Sequence, residues 1–264
     1  MNPIVVKNVK IGEGMPKICL PIVGHTQYEI VSQAMTIASL KPDIVEFRVD
    51  WYDSIDDDHV VLEMLAQVRK LIGRVPLLYT FRRIEEGGLR KITAKRYTEL
   101  NKLAIESGLI DMVDIELMAG DRAVKSIVSC AKKNNVIVVI SNHDFEATPT
   151  KEELLSRLEA MVELGADIPK IAMMPNENKD VLTLLDTTDD FHTKHPDIPV
   201  ITMSMGGKGV ISRLACEIFG SAVTFGCARK QSAPGQIEAD ELARALHIVH
   251  YNLYDKEFGL SQPD

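Results

Sequence analysis

The 264-residue chain has only four cysteines, Cys19, Cys130, Cys216 and Cys227, and no two are spaced as CxxC. Three lie in apolar segments, so all four read as reduced core or near-core residues of a cytoplasmic protein. No stretch concentrates lysine and arginine, and the net charge is −8. Those features argue against a nucleic-acid or anionic-membrane surface, while leaving room for a local basic pocket that takes a small anion. No apolar run approaches the roughly 20 residues that span a bilayer. The opening MNPIVVKNVKIGEG lacks the apolar core and cleavage site of a signal peptide, so no leader is expected. His192/His195 and His247/His250 have helical spacing but no carboxylate or cysteine completing a zinc pattern. They read as surface or helix-end residues, and no metal site is expected. Nothing resembles a linker or a low-complexity segment, which predicts one domain over residues 1–264.

What the chain does have is alternation. Residues 5–12 read as two apolar arms around Lys7-Asn8, which predicts a hairpin closing the bottom of a barrel. Strands are predicted at 18–23, 43–49, 76–81, 112–117, 135–141, 168–173, 198–203 and 222–225. The helical period predicts helices at 26–40, 60–72, 93–107, 121–133, 150–164, 179–193, 212–219 and 237–251. Thr93 is an N-cap candidate, Thr150-x-x-Glu153 has capping-box spacing, and Gly108 and Gly165 are stops. The tail from residue 255 shows no period. Eight strand–helix units with near-continuous apolar strands call for a parallel sheet covered by helices. In this length they fit a single (β/α)8 TIM barrel with an N-terminal β-hairpin, an α/β fold. An open doubly wound sheet is the alternative, weakened because Val23-Gly24-His25-Thr26 is no Gly-rich fingerprint.

In a barrel, the C-terminal strand ends share one mouth. Lys170 stands alone in the apolar run 168–173, where an unpaired ammonium is costly. Either it snorkels to water, or it is a neutral amine able to attack a carbonyl. His143 closes the preceding strand at the expected level of Lys170, as a hydrogen-bonded structural residue or as its general acid/base. Glu46 and Arg48 share one side of their strand, so they either pair with each other or meet a polar ligand. Arg82, Arg83, Glu85 and Glu86 follow the third strand, with Arg83 and Glu85 read as solvated loop charge, and Glu116 ends the fourth. The Gly-rich loop 204–209 could cradle a phosphate, without P-loop spacing. Arg213, expected to begin the next helix, offers a guanidinium fork to a carboxylate or phosphate. Residues 228–236 read as a mobile lid or as a plain surface loop.

Together the motifs Glu46-Phe47-Arg48-Val49-Asp50, Thr80-Phe81-Arg82, Glu86-Gly87-Gly88 and Ser141-Asn142-His143-Asp144-Phe145 resemble one family. So do Pro169-Lys170-Ile171-Ala172, Met203-Ser204-Met205-Gly206, Ser212-Arg213, Phe219-Gly220-Ser221, Thr224-Phe225-Gly226 and Ser232-Ala233-Pro234-Gly235-Gln236. Their order across nearly the whole chain is that of the type I 3-dehydroquinate dehydratases of the shikimate pathway. One minor position departs, Pro21 standing where family members can carry serine.

The resemblance implies dehydration of 3-dehydroquinate through an imine, with no added cofactor. Lys170 would form the Schiff base, His143 would be the general acid/base, and Glu86 would orient His143. Arg213 would hold the substrate carboxylate, Ser232 and Gln236 would close from the lid, and Glu46, Arg48 and Arg82 would bind ring hydroxyls. A dry strand near Arg48, Arg82 or His143 would favour the neutral amine that imine formation needs. The resemblance also implies a homodimer, to which the helix around Leu246, Val249 and Leu253 could contribute. Two readings remain beside this one: a class I Schiff-base aldolase on the same barrel, and a non-catalytic ligand-binding barrel.

Overall fold

The computed structural model describes residues 3–254, so the expectation for the tail from 255 lies outside the described residues. Strands β1 (Ile4–Val6) and β2 (Val9–Ile11) pair antiparallel around Lys7 and Asn8. Eight parallel strands follow: β3 (Lys17–Ile22), β4 (Ile44–Arg48), β5 (Leu77–Thr80), β6 (Met112–Glu116), β7 (Ile137–Asp144), β8 (Ile168–Met173), β9 (Ile201–Ser204) and β10 (Val223–Phe225). The sheet runs β10-β3-β4-β5-β6-β7-β8-β9. A parallel bridge between Val200 and Ser221 links its two ends, so the barrel is nearly closed. This is the architecture expected from the alternation; an open sheet would have left β9 and β10 apart.

Helices α1 (Gln27–Leu40), α2 (Asp58–Ile72), α3 (Ala94–Glu106), α4 (Asp121–Lys133), α5 (Lys151–Glu163) and α6 (Asn178–Lys194) follow successive strands. Their starts are chemically marked. Thr26 and Glu29 form a reciprocal capping box, and the Thr93 and Thr150 hydroxyls accept the Arg96 and Glu153 amides. The helix expected over 212–219 is instead two short ones, α7 (Val210–Leu214) and α8 (Cys216–Phe219). The Arg213 carbonyl accepts from the Thr224 hydroxyl and the Cys216 thiol, which turns the chain at Ala215. Arg213 therefore lies in the last turn of α7 rather than at a helix start. The final helix is α9 (Ala239–Tyr254).

Strand alternation sorts the side chains into two compartments. Phe47, Tyr79, Val113, Ile115, Val138, Ile140 and Ile171 face outward into the core shared with the helices. The inward set begins, at the hairpin end, with an apolar plug in which Val6 and Ile11 join Ile44, Leu78, Met112, Val139, Ile168, Ile201 and Val223. Burying each such side chain contributes about 1.5–3 kcal/mol. Above this dry floor the inward positions turn polar: Glu46, Thr80, Asp114, Ser141 and Lys170 are all buried. The fold thus presents a set of charges to the mouth and seals them from below.

Candidate active site

Lys170 points inward from β8 and is 3% exposed, so it does not snorkel. Its Nζ lies 3.0 Å from Asp114 Oδ2 and 4.4 Å from the centre of the Phe225 ring. The other oxygen of Asp114 accepts from Ser141 Oγ at 2.6 Å and from Arg82 Nη2 at 2.8 Å. Arg82 Nη1 also donates to Ser141 Oγ at 2.9 Å and to Glu116 Oε1 at 3.1 Å. The surroundings expected for Lys170 were cationic or neutral, whereas the residue touching it is a carboxylate. Burial works against the Asp114 anion, but Arg82 and Lys170 outweigh it and hold the carboxyl well below the usual range.

Two charges are paired differently from expectation. Arg48 grips Asp50 through Nε at 2.8 Å and Nη2 at 2.9 Å, while Glu46 accepts from the Thr80 hydroxyl at 2.9 Å. The Glu46–Arg48 ion pair does not form. Inward positions two apart on a strand are separated by about 6.6 Å, whereas the 3-10 turn Val49–Trp51 curls Asp50 back onto the guanidinium. Arg83 is not solvated loop charge either, because it pairs with the fully buried Glu116. Asp50, Asp114 and Ser141 were absent from the candidate residues. Asp114 carried a signal, since Met112, Asp114 and Glu116 alternate onto one face of their strand.

His143 belongs to β7, which runs three residues past its expected end. Ser141 is level with Lys170 in the ladder, and His143 lies opposite Ala172, one inward step nearer the mouth. The two residues thus leave the ladder from successive inward layers, and both line the same cavity. His143 Nδ1 is 3.0 Å from Glu86 Oε2, and that oxygen also accepts the His143 amide at 2.9 Å. The second Glu86 oxygen accepts from Asn142 Nδ2 at 3.3 Å, and Asn142 is held by Arg157 Nη1 at 2.7 Å. Burial, with the charge of Glu116, pushes the Glu86 carboxyl up to about 7 against the pull of Arg82. Burial and the charges of Arg82 and Lys170 keep the His143 imidazole well below its ordinary value, hence neutral. Gly87 ends the 3-10 turn that carries Glu86; its φ of 81° is one only glycine adopts freely, and its missing Cβ leaves room for the Phe145 ring.

Arg213 is 1% exposed. Its Nη1 donates to the Phe225 carbonyl and its Nη2 to the Pro234 carbonyl, both at 3.2 Å, and its Nε has no partner among the described residues. Among the described residues no carboxylate pairs with it, and burial pushes the guanidinium down to about 10. A buried cation satisfied only by neutral acceptors is poised for an anionic ligand.

Ser232 and Gln236 are tied to each other, Gln236 Nε2 donating to Ser232 Oγ at 2.9 Å and Ser232 N–H to Gln236 Oε1 at 2.7 Å. Their loop rests on the Gly-rich segment after β9, where the Gly206 amide donates to the Pro234 carbonyl at 3.2 Å. That segment, considered above as a phosphate cradle, supports residues 228–236. Lys230 Nζ lies 4.4 Å from the centre of the Trp51 ring, anchoring the other end of the loop.

One cavity gathers these groups, lined by Glu46, Arg48, Arg82, Glu86, His143, Lys170, Ser232 and Gln236. Arg213 is not among its lining residues but touches Met203 and Phe225, which are. His195 and His250 instead bind Glu159 and Glu217 at 2.8 and 2.6 Å, as ordinary side-chain partners. Among the described residues, no group of three or more His, Cys, Asp or Glu is arranged to hold a metal ion.

Comparison with known proteins is consistent over most of the chain. The family model described as type I 3-dehydroquinase matches residues 18–252. The 3-dehydroquinate dehydratase of Bacillus licheniformis is 50% identical over 248 residues, covering 94% of this chain and 98% of that protein. That of Clostridium botulinum is 51% identical over 248 residues, again covering 94% and 98%. The crystal structure of type I 3-dehydroquinate dehydratase from Clostridium difficile, with covalent modified comenic acid, superposes with a TM-score of 0.93. It is 49% identical and covers 96% of this chain and 100% of that one. A 3-hexulose-6-phosphate synthase at 18% identity and a TM-score of 0.58 shares the fold alone.

Proposed function

The chain belongs to the type I 3-dehydroquinase family and dehydrates 3-dehydroquinate, and from that premise we propose which of its residues carry the reaction. Lys170 Nζ attacks the substrate ketone; the C–N bond forms, the carbonyl oxygen leaves as water, and a protonated imine remains. That cation draws electrons from the adjacent carbon and acidifies its hydrogen. His143, neutral in its buried setting, takes this proton and leaves an enamine. The enamine pushes out the β-hydroxyl, to which the His143 imidazolium returns the proton so that it departs as water. Hydrolysis of the conjugated imine frees 3-dehydroshikimate and Lys170.

Glu86 orients the imidazole by accepting from Nδ1. Arg213 holds the substrate carboxylate, Ser232 and Gln236 close over it from the lid, and Glu46, Arg48 and Arg82 meet the ring hydroxyls. The observation that carries this reading is a buried lysine in a cavity whose wall also holds the His143–Glu86 pair. We also propose a cytoplasmic homodimer. Four free, buried cysteines fit the first part. For the second part, Leu253 of the residues expected to contribute is exposed on α9 together with Ile248 and Tyr251, whereas Leu246 is buried against Cys216 and Leu242.

The test adds purified protein to 3-dehydroquinate and follows enone absorbance, with borohydride trapping and mass mapping alongside. An absorbance rise and a substrate-dependent adduct on Lys170 are expected. Turnover of a phosphosugar with no absorbance rise would instead indicate the aldolase, and an adduct on another lysine would refute the role of Lys170.

A further inference from the structure

Every charged group around Lys170 but one stands off from it. From β4 come Glu46 and Arg48, from the segment after β5 Arg82, from β7 His143 and from β3 the Cys19 thiol, with the Phe225 ring of β10 on the remaining side. Among the described residues, only Asp114, from β6, is in hydrogen-bond contact with Nζ. Asp114 is fully buried, and its own orientation is fixed independently of the lysine. Arg82 Nη2 and Ser141 Oγ both bind Oδ1, which leaves Oδ2 as the single oxygen aimed at the amine.

We propose that Asp114 is the counter-ion of the reacting nitrogen, holding Lys170 in place as an ammonium and then balancing the positive imine that replaces it. The proposal rests on the Schiff-base role given to Lys170 above. The chemistry makes the same demand at both stages. As an ammonium, the nitrogen carries one positive charge and three protons. When it joins the ketone carbon, two of those protons leave with the carbonyl oxygen as water, and the imine nitrogen again carries one positive charge, now with a single N–H. A carboxylate fixed 3.0 Å away can accept that N–H without moving, because two other donors already hold it. Arg82 and Arg48 cannot serve, being cations themselves, and Glu46 is engaged by Thr80. His143 and Glu86 are committed to each other one layer higher. A carboxylate at this place slows the first deprotonation of the ammonium and steadies the cationic intermediate; it exchanges reactivity of the amine at low pH for persistence of the electron sink.

This predicts a pH signature that a purely structural carboxylate would lack. The protein is incubated with 3-dehydroquinate and sodium cyanoborohydride across a pH series, and the Lys170 adduct is quantified by mass. Removing the carboxylate destabilises the ammonium, so the amine becomes free at lower pH. In Asp114→Asn the rising limb of adduct formation should move down by about one pH unit or more, equal to about tenfold more adduct at a fixed pH on the acid side. Turnover should fall in the same variant, because the imine cation has lost its partner. Asp114→Glu keeps a charge and should hold the limb close to that of the native protein. Should Asp114→Asn fail to fold, Asp114→Ser, smaller than the native side chain, is read for the same displacement. A folded neutral variant whose limb coincides with the native one overturns the proposal. Failure of the native protein to give a Lys170 adduct at any pH is a different result, which refutes the Schiff-base role itself.

Discussion

His143 Nδ1 and Glu86 Oε2 are 3.0 Å apart, and the same oxygen accepts the His143 amide at 2.9 Å. One carboxylate oxygen thus fixes both the backbone and the ring of the histidine. With Glu86 ionised, Nδ1 carries the ring proton and Nε2 is left as the free base. With Glu86 protonated, the acid donates to Nδ1, the ring proton moves to Nε2, and no base faces the substrate. Because burial raises Glu86 to about 7, turnover should fall as pH drops through neutrality.

Glu86→Gln removes that titration. Its turnover should fall by about 10²-fold, toward the lower end of what acid–base catalysis contributes. The stability effect has the opposite sign. A carboxyl raised in the folded state stabilises the fold below its ordinary value, and this contribution is lost as pH rises through about 7. At about pH 8.5 the Gln variant should therefore be more stable, by on the order of 1–3 kcal/mol in urea denaturation, with no gain at about pH 4. Equal stability at both pH values would show that Glu86 is not strained as an anion.

His143→Ala should keep the borohydride adduct on Lys170 while turning over about 10²–10⁴-fold more slowly. Single-turnover trapping with enone absorbance separates the two effects. Near-native turnover in this variant would remove His143 from the proton-transfer role.

Arg213→Met replaces an unpaired buried cation with an apolar side chain. The free protein should gain about 1–4 kcal/mol in urea unfolding, since a buried charge without a counter-ion is lost. The KM for 3-dehydroquinate should rise by about 10²-fold or more, the cost of removing one partner of a desolvated charge pair. An unchanged KM would mean that the carboxylate is held elsewhere.

Gly235→Ala tests the lid. Gly235 has a φ of 80°, and an added Cβ would lie 2.5 Å from the Gly206 carbonyl oxygen. The variant should fold normally, because the loop is surface structure, yet bind substrate more weakly through failure to seat Ser232 and Gln236. Comparison of KM with the thermal midpoint decides this: a large loss of stability with native KM would place the glycine in folding rather than closure.

Much of this was legible in one dimension. Strand–helix alternation requires only local pattern, and Thr26, Thr93 and Thr150 mark helix starts through contacts within a single turn. The isolated lysine of β8 was visible for the same reason, because a charge in an apolar run stands out against its sequence neighbours. The tertiary structure decided who pairs with whom. Asp50 rather than Glu46 meets Arg48, Glu116 collects Arg83, and Asp114 on a strand 56 residues away in sequence touches Lys170. It also set the vertical offset between His143 and Lys170, and left Arg213 without an anion. Local pattern reports which side chains enter the barrel, because alternation is a property of one strand. Strand register and turn geometry are cooperative, and only they bring one inward charge within reach of another.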